Sequence, residues 1–181
     1  MPGYTKEAIA RCFFRLLDEL PLGQIRVRQI IAACGISRST FYYHYKDIRD
    51  LFESTLCDSV QYFERECRTP DRVEHALVRV SRLFREYPHA VEHVEETADR
   101  ALCRRQLLRA CEHIARVCLG EGDGGGAGEE PDQPMLRALL RCQCYGLFIE
   151  WIEGGAKGDV MAAYRSALSL FGRAMSRQGV I

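Results

Sequence analysis

Between Arg38 and Lys46 the chain reads Arg-Ser-Thr-Phe-Tyr-Tyr-His-Tyr-Lys. Wound as a helix at about 100° per residue, this run gathers Arg38, Ser39, Tyr42, Tyr43 and Lys46 into one arc, turned away from Phe41 and Tyr45. Guanidinium groups suit bidentate contact with guanine or phosphate, phenol hydroxyls suit phosphate oxygens, and the small Ser39 and Thr40 allow close approach to base edges. No acid occurs between Leu20 and Lys46, while Arg26, Arg28, Arg38 and Lys46 do. The result is a local cationic stripe in a chain whose 25 Lys+Arg balance 25 Asp+Glu. That chemistry fits a nucleic-acid backbone, read locally and not by bulk charge.

The other reactive side chains form weaker patterns. Cys103, Cys111 and Cys118 share a helical arc with Leu107 and Ile114, as small core residues do. Cys142 and Cys144 stand two apart on a helix and so point to different faces, unlike a Cys-x-x-Cys metal knuckle. His89 and His93 have a metal-gripping spacing, with Glu92 and Glu96 nearby, but lack a His-Glu-x-x-His pattern or a cysteine partner. No nucleophile elbow, dinucleotide fingerprint or paired acid/base motif is present, so no enzyme and no cofactor are expected. The competing reading from another class is a helical thiol- or metal-dependent enzyme built on these Cys and His residues.

The elements that must position the cationic arc are all helical, because apolar residues recur at three- and four-residue spacing throughout. A first helix is expected over Thr5–Leu20, ended by Pro21 and Gly23, and a short second over Val27–Cys34, with Gly35 making a sharp turn. Ser37 caps the third and Asp47 the fourth, which Thr69-Pro70 ends. A fifth follows from Val73 to Tyr87, a short sixth opens at Pro88, and a seventh spans Leu102–Leu119. Two more cover Met135–Glu153, apolar almost all round, and Val160–Met175, making an all-α chain of about nine helices. Residues 120–134 hold six of the 15 glycines and no large apolar side chain, and are expected to be a disordered loop. Lacking Lys, Arg, Ser and Thr, that loop is no phosphate cradle.

Val27–Lys46 thus has the grammar of a helix-turn-helix. Three stretches, Ile25-Arg26-Val27-Arg28-Gln29-Ile30, Cys34-Gly35-Ile36-Ser37 and Thr40-Phe41-Tyr42-Tyr43-His44-Tyr45, give Thr5–Phe52 a specific resemblance to the TetR family of bacterial transcriptional regulators. The run Gly146–Gly155 resembles a C-terminal subtype of the same family. The resemblance implies a DNA-binding domain over residues 1–50 and a ligand-binding and dimerisation domain over 51–181. It implies a homodimer that binds a small-molecule inducer; the twofold then calls for an inverted-repeat operator, and repression, the commoner mode, is the expected action, with a TetR-like protein working through a protein partner as the variant reading. Arg26 stands where the family usually has Ser or Thr, and Ile48-Arg49 where it has Lys-Glu, so Arg26 and Arg49 are expected to contact phosphate directly.

The expected DNA-binding set is Arg26, Arg28, Arg38, Ser39, Thr40, Tyr42, Tyr43, His44, Lys46 and Arg49. Phe63, Phe84, Tyr87, Cys111, Tyr145, Phe148 and Trp151 are expected to line an inducer cavity. Leu140, Leu147, Ala163, Tyr164, Ala167, Leu168 and Phe171, on the last two helices, are expected to form the dimer interface. The longest run without Asp, Glu, Lys or Arg is nine residues, Gln29–Ser37, too short for a membrane span. With Lys6, Glu7, Arg11 and Arg15 near the N-terminus, no export signal is read, and a cytoplasmic location with reduced thiols is expected.

Overall fold

The computed structural model describes residues 2–95, 100–120 and 132–177. Among these, nine α-helices follow one another: α1 Pro2–Glu19, α2 Val27–Cys34, α3 Arg38–His44, α4 Ile48–Glu66, α5 Pro70–Glu86, α6 Ala90–Glu95, α7 Arg100–Cys118, α8 Gln133–Glu153 and α9 Val160–Arg177. A 3₁₀ turn, Leu22–Gln24, joins α1 to α2. The fold is all-helical, as the periodicity implies. Most of the loop expected over 120–134 lies outside the described residues, and α8 already begins at Gln133.

The chain divides into two compact units, one of residues 1–61 with 83–106, the other of 62–82 with 107–181. The first is built around Ile9, Phe13 and Leu17 of α1, which with Ile30 of α2, Phe41 of α3 and Leu51 of α4 are almost wholly excluded from solvent. Leu22 and Ile25 plug the same core from the 3₁₀ turn, and Ala90 and Val94 close it from α6. Burying about six such aliphatic and aromatic side chains, at roughly 1.5–3 kcal/mol each, is what fixes three helices too short to persist alone.

Local chemistry sets the joints. Gly35 ends α2 at φ 65°, a left-handed conformation that glycine takes without a Cβ penalty. Ser37 Oγ then accepts the Thr40 amide at 3.0 Å and starts α3. Asp47 Oδ1 accepts the Asp50 amide and Asp50 Oδ2 accepts the Lys46 amide, both at 2.8 Å, so two carboxylates hold the start of α4. A cap that crosses the unit was not visible locally: Asp18 Oδ1, at the end of α1, accepts the amides of His89 at 2.8 Å and Ala90 at 3.2 Å, at the start of α6. His93 Nδ1 reinforces it by donating to the Leu17 carbonyl at 2.7 Å.

The second unit packs α5, α7, α8 and α9 around Val73, Leu77, Cys111, Ile114, Leu140, Cys144, Phe148 and Tyr164. Its thiols are packing groups: Cys111 and Cys144 are buried, and Cys118 lies 3.4 Å from the Tyr164 hydroxyl. Burial pushes the Cys144 thiol up to about 12 and moves Cys111 and Cys118 in the same direction. Cys142, by contrast, is exposed. No helix among the described residues is long and apolar enough to cross a membrane.

The Ser37 cap is expected to be worth about 1 kcal/mol. Denaturant unfolding should show that loss in Ser37→Ala and near-native stability in Ser37→Asp, which keeps an acceptor for the Thr40 amide.

Candidate nucleic-acid interface

Helix α3 is amphipathic across a very short span. Phe41 is fully buried and Tyr45, just past its end, nearly so, while Tyr42 and Tyr43 are 47% and 80% exposed. The Phe41 ring meets Tyr42 edge-on at 5.5 Å and Tyr45 at 5.9 Å, so the buried pair fixes the rotation of the helix and hence the side that faces water. Arg38, Ser39 and Lys46 are exposed on that side, and Thr40 and His44 are half-buried beside it. The arc inferred from winding the sequence is therefore a solvent-facing surface.

Its electrostatics are cationic and ordered. The Arg38 guanidinium lies 5.7 Å from the Tyr42 ring centre, a cation–π contact that pre-positions both groups. Ser37 Oγ is 2.8 Å from both Ser39 Oγ and Thr40 Oγ1, so three hydroxyls share one network at the N-terminus of α3. With the positive end of the helix dipole beneath them, these donors suit a phosphate oxygen. Tyr43 packs edge-on to His44 at 4.9 Å.

The flanking basic residues differ in their commitments. Arg26 is exposed, but its guanidinium donates to the Gly23 carbonyl at 2.6 Å and to that of Ile25 at 3.3 Å. Its own amide donates to Gln29 Oε1 at 2.7 Å. Gln29, three residues into the helix, thus supplies the half of a capping box that accepts the N-cap amide, while the Arg26 side chain accepts no amide of the first turn; the Arg-x-x-Gln spacing carried that signal. Arg28 is exposed on the first turn of α2. Arg49 pairs with Glu53 at 3.3 Å across one turn of α4, in the open.

The remaining expected sites distribute as follows. Phe63, Cys111, Tyr145, Phe148 and Trp151 belong to the second unit's hydrophobic cluster, with Phe63 edge-on to His113 at 5.6 Å. Tyr87 lies in the first unit instead, stacked on Phe14 at 6.3 Å, and Phe84 falls in the same unit. Leu140, Tyr164 and Ala167 are buried in the chain's own core; Leu147 and Leu168 are half-buried and Ala163 exposed. The Phe171 side chain lies outside the described residues. Among the described residues no group of three or more His, Cys, Asp and Glu is placed to hold a metal.

Residues 14–55, which contain α2, α3 and their joints, match the family described as "Bacterial regulatory proteins, tetR family". The chain carries a TetR-family N-terminal domain. The fold of the chain is also similar to that of a solved structure. It superposes with a TM-score of 0.51 on the crystal structure of a TetR transcriptional regulator from Rhodococcus sp. RHA1, at 18% identity over 93% of this chain and 95% of that one. No curated protein matches the sequence. The family match falls on the helix-turn-helix and its flanks.

Tyr45 gives the TetR domain an alkaline limit. Burial first, then Asp58 and Asp50, push its phenol up to about 12 from an ordinary 10.0. Above pH ~10 the unfolded state releases this proton while the folded state still holds it, so the contribution is intact at neutral pH and falls as pH rises towards ~12. Urea unfolding should show that Tyr45→Phe removes this part of the alkaline loss.

Proposed function

We propose that the exposed face of α3 reads an operator in the major groove, with Arg38, Ser39, Thr40, Tyr42 and Tyr43 toward the bases and nearest phosphates. Arg28, His44, Lys46 and Arg49 anchor the flanking backbone, and Arg26 joins them by exchanging its carbonyl contacts for a phosphate. The observation that carries this reading is the rotation of α3: buried Phe41 turns Tyr42 and Tyr43, 47% and 80% exposed, outward beside Arg38 and Lys46.

The functional division follows the two units, with every DNA-facing residue in the first and the effector and dimer surfaces in the second. The protein acts as a homodimeric repressor on an inverted repeat, with half-sites about 34–36 Å apart or somewhat more. The twofold contact is built from outward stripes on the last two helices. On α8 these are Met135 and Leu139, 64% and 51% exposed, followed by Cys142 and Gly146 at helical spacing. On α9, exposed Ala163 and Ser166 lead to Leu170, 59% exposed. Leu140, Tyr164 and Ala167 support that surface from beneath. The inducer is an apolar small molecule admitted among Phe63, Cys111, Tyr145, Phe148 and Trp151, where a polarizable thiol and aromatic rings adapt to shape.

Two experiments test this. With a duplex selected from a random pool, Arg38→Ala and Tyr42→Ala should each weaken specific binding by about 1–3 kcal/mol, and binding should fall steeply with salt. Wild-type affinity in both folded variants overturns the assignment of α3. Sedimentation should give a dimer for the wild type and a monomer with lost operator binding for Leu139→Glu combined with Leu170→Glu; a dimer in that variant moves the interface elsewhere.

A further inference from the structure

Two helices of the second unit bring four charged side chains together. Glu112 and Arg116 stand one turn apart on α7, and Arg137 and Arg141 one turn apart on α8, so each helix turns a charged pair toward the other. Glu112 Oε1 lies 3.4 Å from both Arg116 Nε and Arg137 Nε, and Glu112 Oε2 lies 3.4 Å from Arg141 Nη1. A guanidinium with a carboxylate of its own closes to about 2.7–2.9 Å, often through two parallel bonds. Here one carboxylate is shared at longer range.

The charges do not balance. Among the described residues Arg116 and Arg141 pair with no carboxylate but Glu112, so one negative charge serves two cations before Arg137 is counted. Arg141 carries a second sign of the same shortage. Its Nε is shut off from solvent and has no hydrogen-bond partner among the described residues, although buried donors are nearly always paired. Arg116 is exposed and the other three side chains are half-buried, so a small solute reaches the cluster.

We propose that Arg116, Arg137 and Arg141 form a binding site for a small polyvalent oxyanion, a polycarboxylate or a phosphorylated metabolite. Neither the operator nor the apolar inducer is needed for it. A ligand with two or more negative charges supplies what Glu112 lacks, and paired oxygens on carboxylate or phosphate match the guanidinium fork, as a halide does not. By bridging arginines of both helices, the ligand ties α7 to α8. Glu112 has two effects on it: the carboxylate gathers the three arginines, and its charge repels the arriving anion.

The test is calorimetric titration of citrate, and separately of pyrophosphate, into the full-length protein, with sodium chloride holding ionic strength constant. At least one of the two should bind saturably, once per chain; tighter binding of citrate assigns the polycarboxylate source, and tighter binding of pyrophosphate the phosphorylated one. Arg116→Gln and Arg141→Gln should each weaken binding by about tenfold or more. Because Arg116 is exposed, its variant keeps the test open if Arg141→Gln does not fold. Glu112→Gln should tighten binding, since the amide keeps the shape of the carboxylate and removes its charge. The cationic face of α3 also attracts anions, and Arg38→Ala separates the two sites by leaving the titration unchanged. Heats no larger than those of sodium chloride for both anions overturn the site. So does binding that survives Arg116→Gln at full strength, or that Arg38→Ala abolishes. Unchanged or weaker binding in folded Glu112→Gln overturns the account of one carboxylate shared among surplus cations.

Discussion

A helix of seven residues cannot hold itself together in water, and α3, which carries the exposed cationic arc, is that long. Its geometry is imposed from below by Phe41, inserted among Phe13, Ile30 and Leu51, and at its start by the Ser37 cap. Because the anchor is a single large ring, the helix is fixed in rotation as well as in position. The exposed tyrosines and Arg38 then point outward, kept in register by that ring and by the Arg38–Tyr42 and Tyr43–His44 contacts. Binding chemistry on the outside is thus set by close packing on the inside, where a change of one methylene is felt.

The two units solve different problems with similar helices. In the first, short helices surround α1, and the polar groups near the surface are tied into caps: Gln29 on Arg26, Asp47 and Asp50 at α4, Asp18 at α6. In the second, long helices carry surplus apolar area, and an ion-pair network covers part of it. Arg116, Arg137 and Arg141 converge on Glu112 at 3.4 Å each, and Arg165 reaches across to Glu74. Such partly exposed pairs orient neighbouring helices more than they stabilise them.

Helix identity was legible in the sequence wherever punctuation was local. Val27–Cys34 coincides with α2 because a turn precedes it and Gly35 ends it. Other boundaries moved for physical reasons: α5 begins at Pro70, since proline needs no amide partner in a first turn, and α1 starts at Pro2. The exposed arc of α3 was readable because polar and aromatic residues alternate with two obligate core rings over nine positions. The faces of α8 and α9 were not, since a helix apolar on nearly every side gives periodicity nothing to choose between; Leu140 turned inward and Leu139 outward. Grouping Tyr87 with Phe148 failed for another reason, as helical spacing says which residues share a face but not which helix they meet.

The Asp18 carboxylate caps a helix that begins 71 residues later in the chain. Together with Ala90 and Val94 against α1, it makes the first unit discontinuous in sequence. A module exchange that cut after residue 61 would strip α6 from α1, leaving an apolar seam wet and an aspartate with no amide to accept. Recombination, by engineers or by evolution, would therefore have to carry residues 83–95 along with the first sixty-one, or supply an equivalent helix, for the first unit to fold in a new setting.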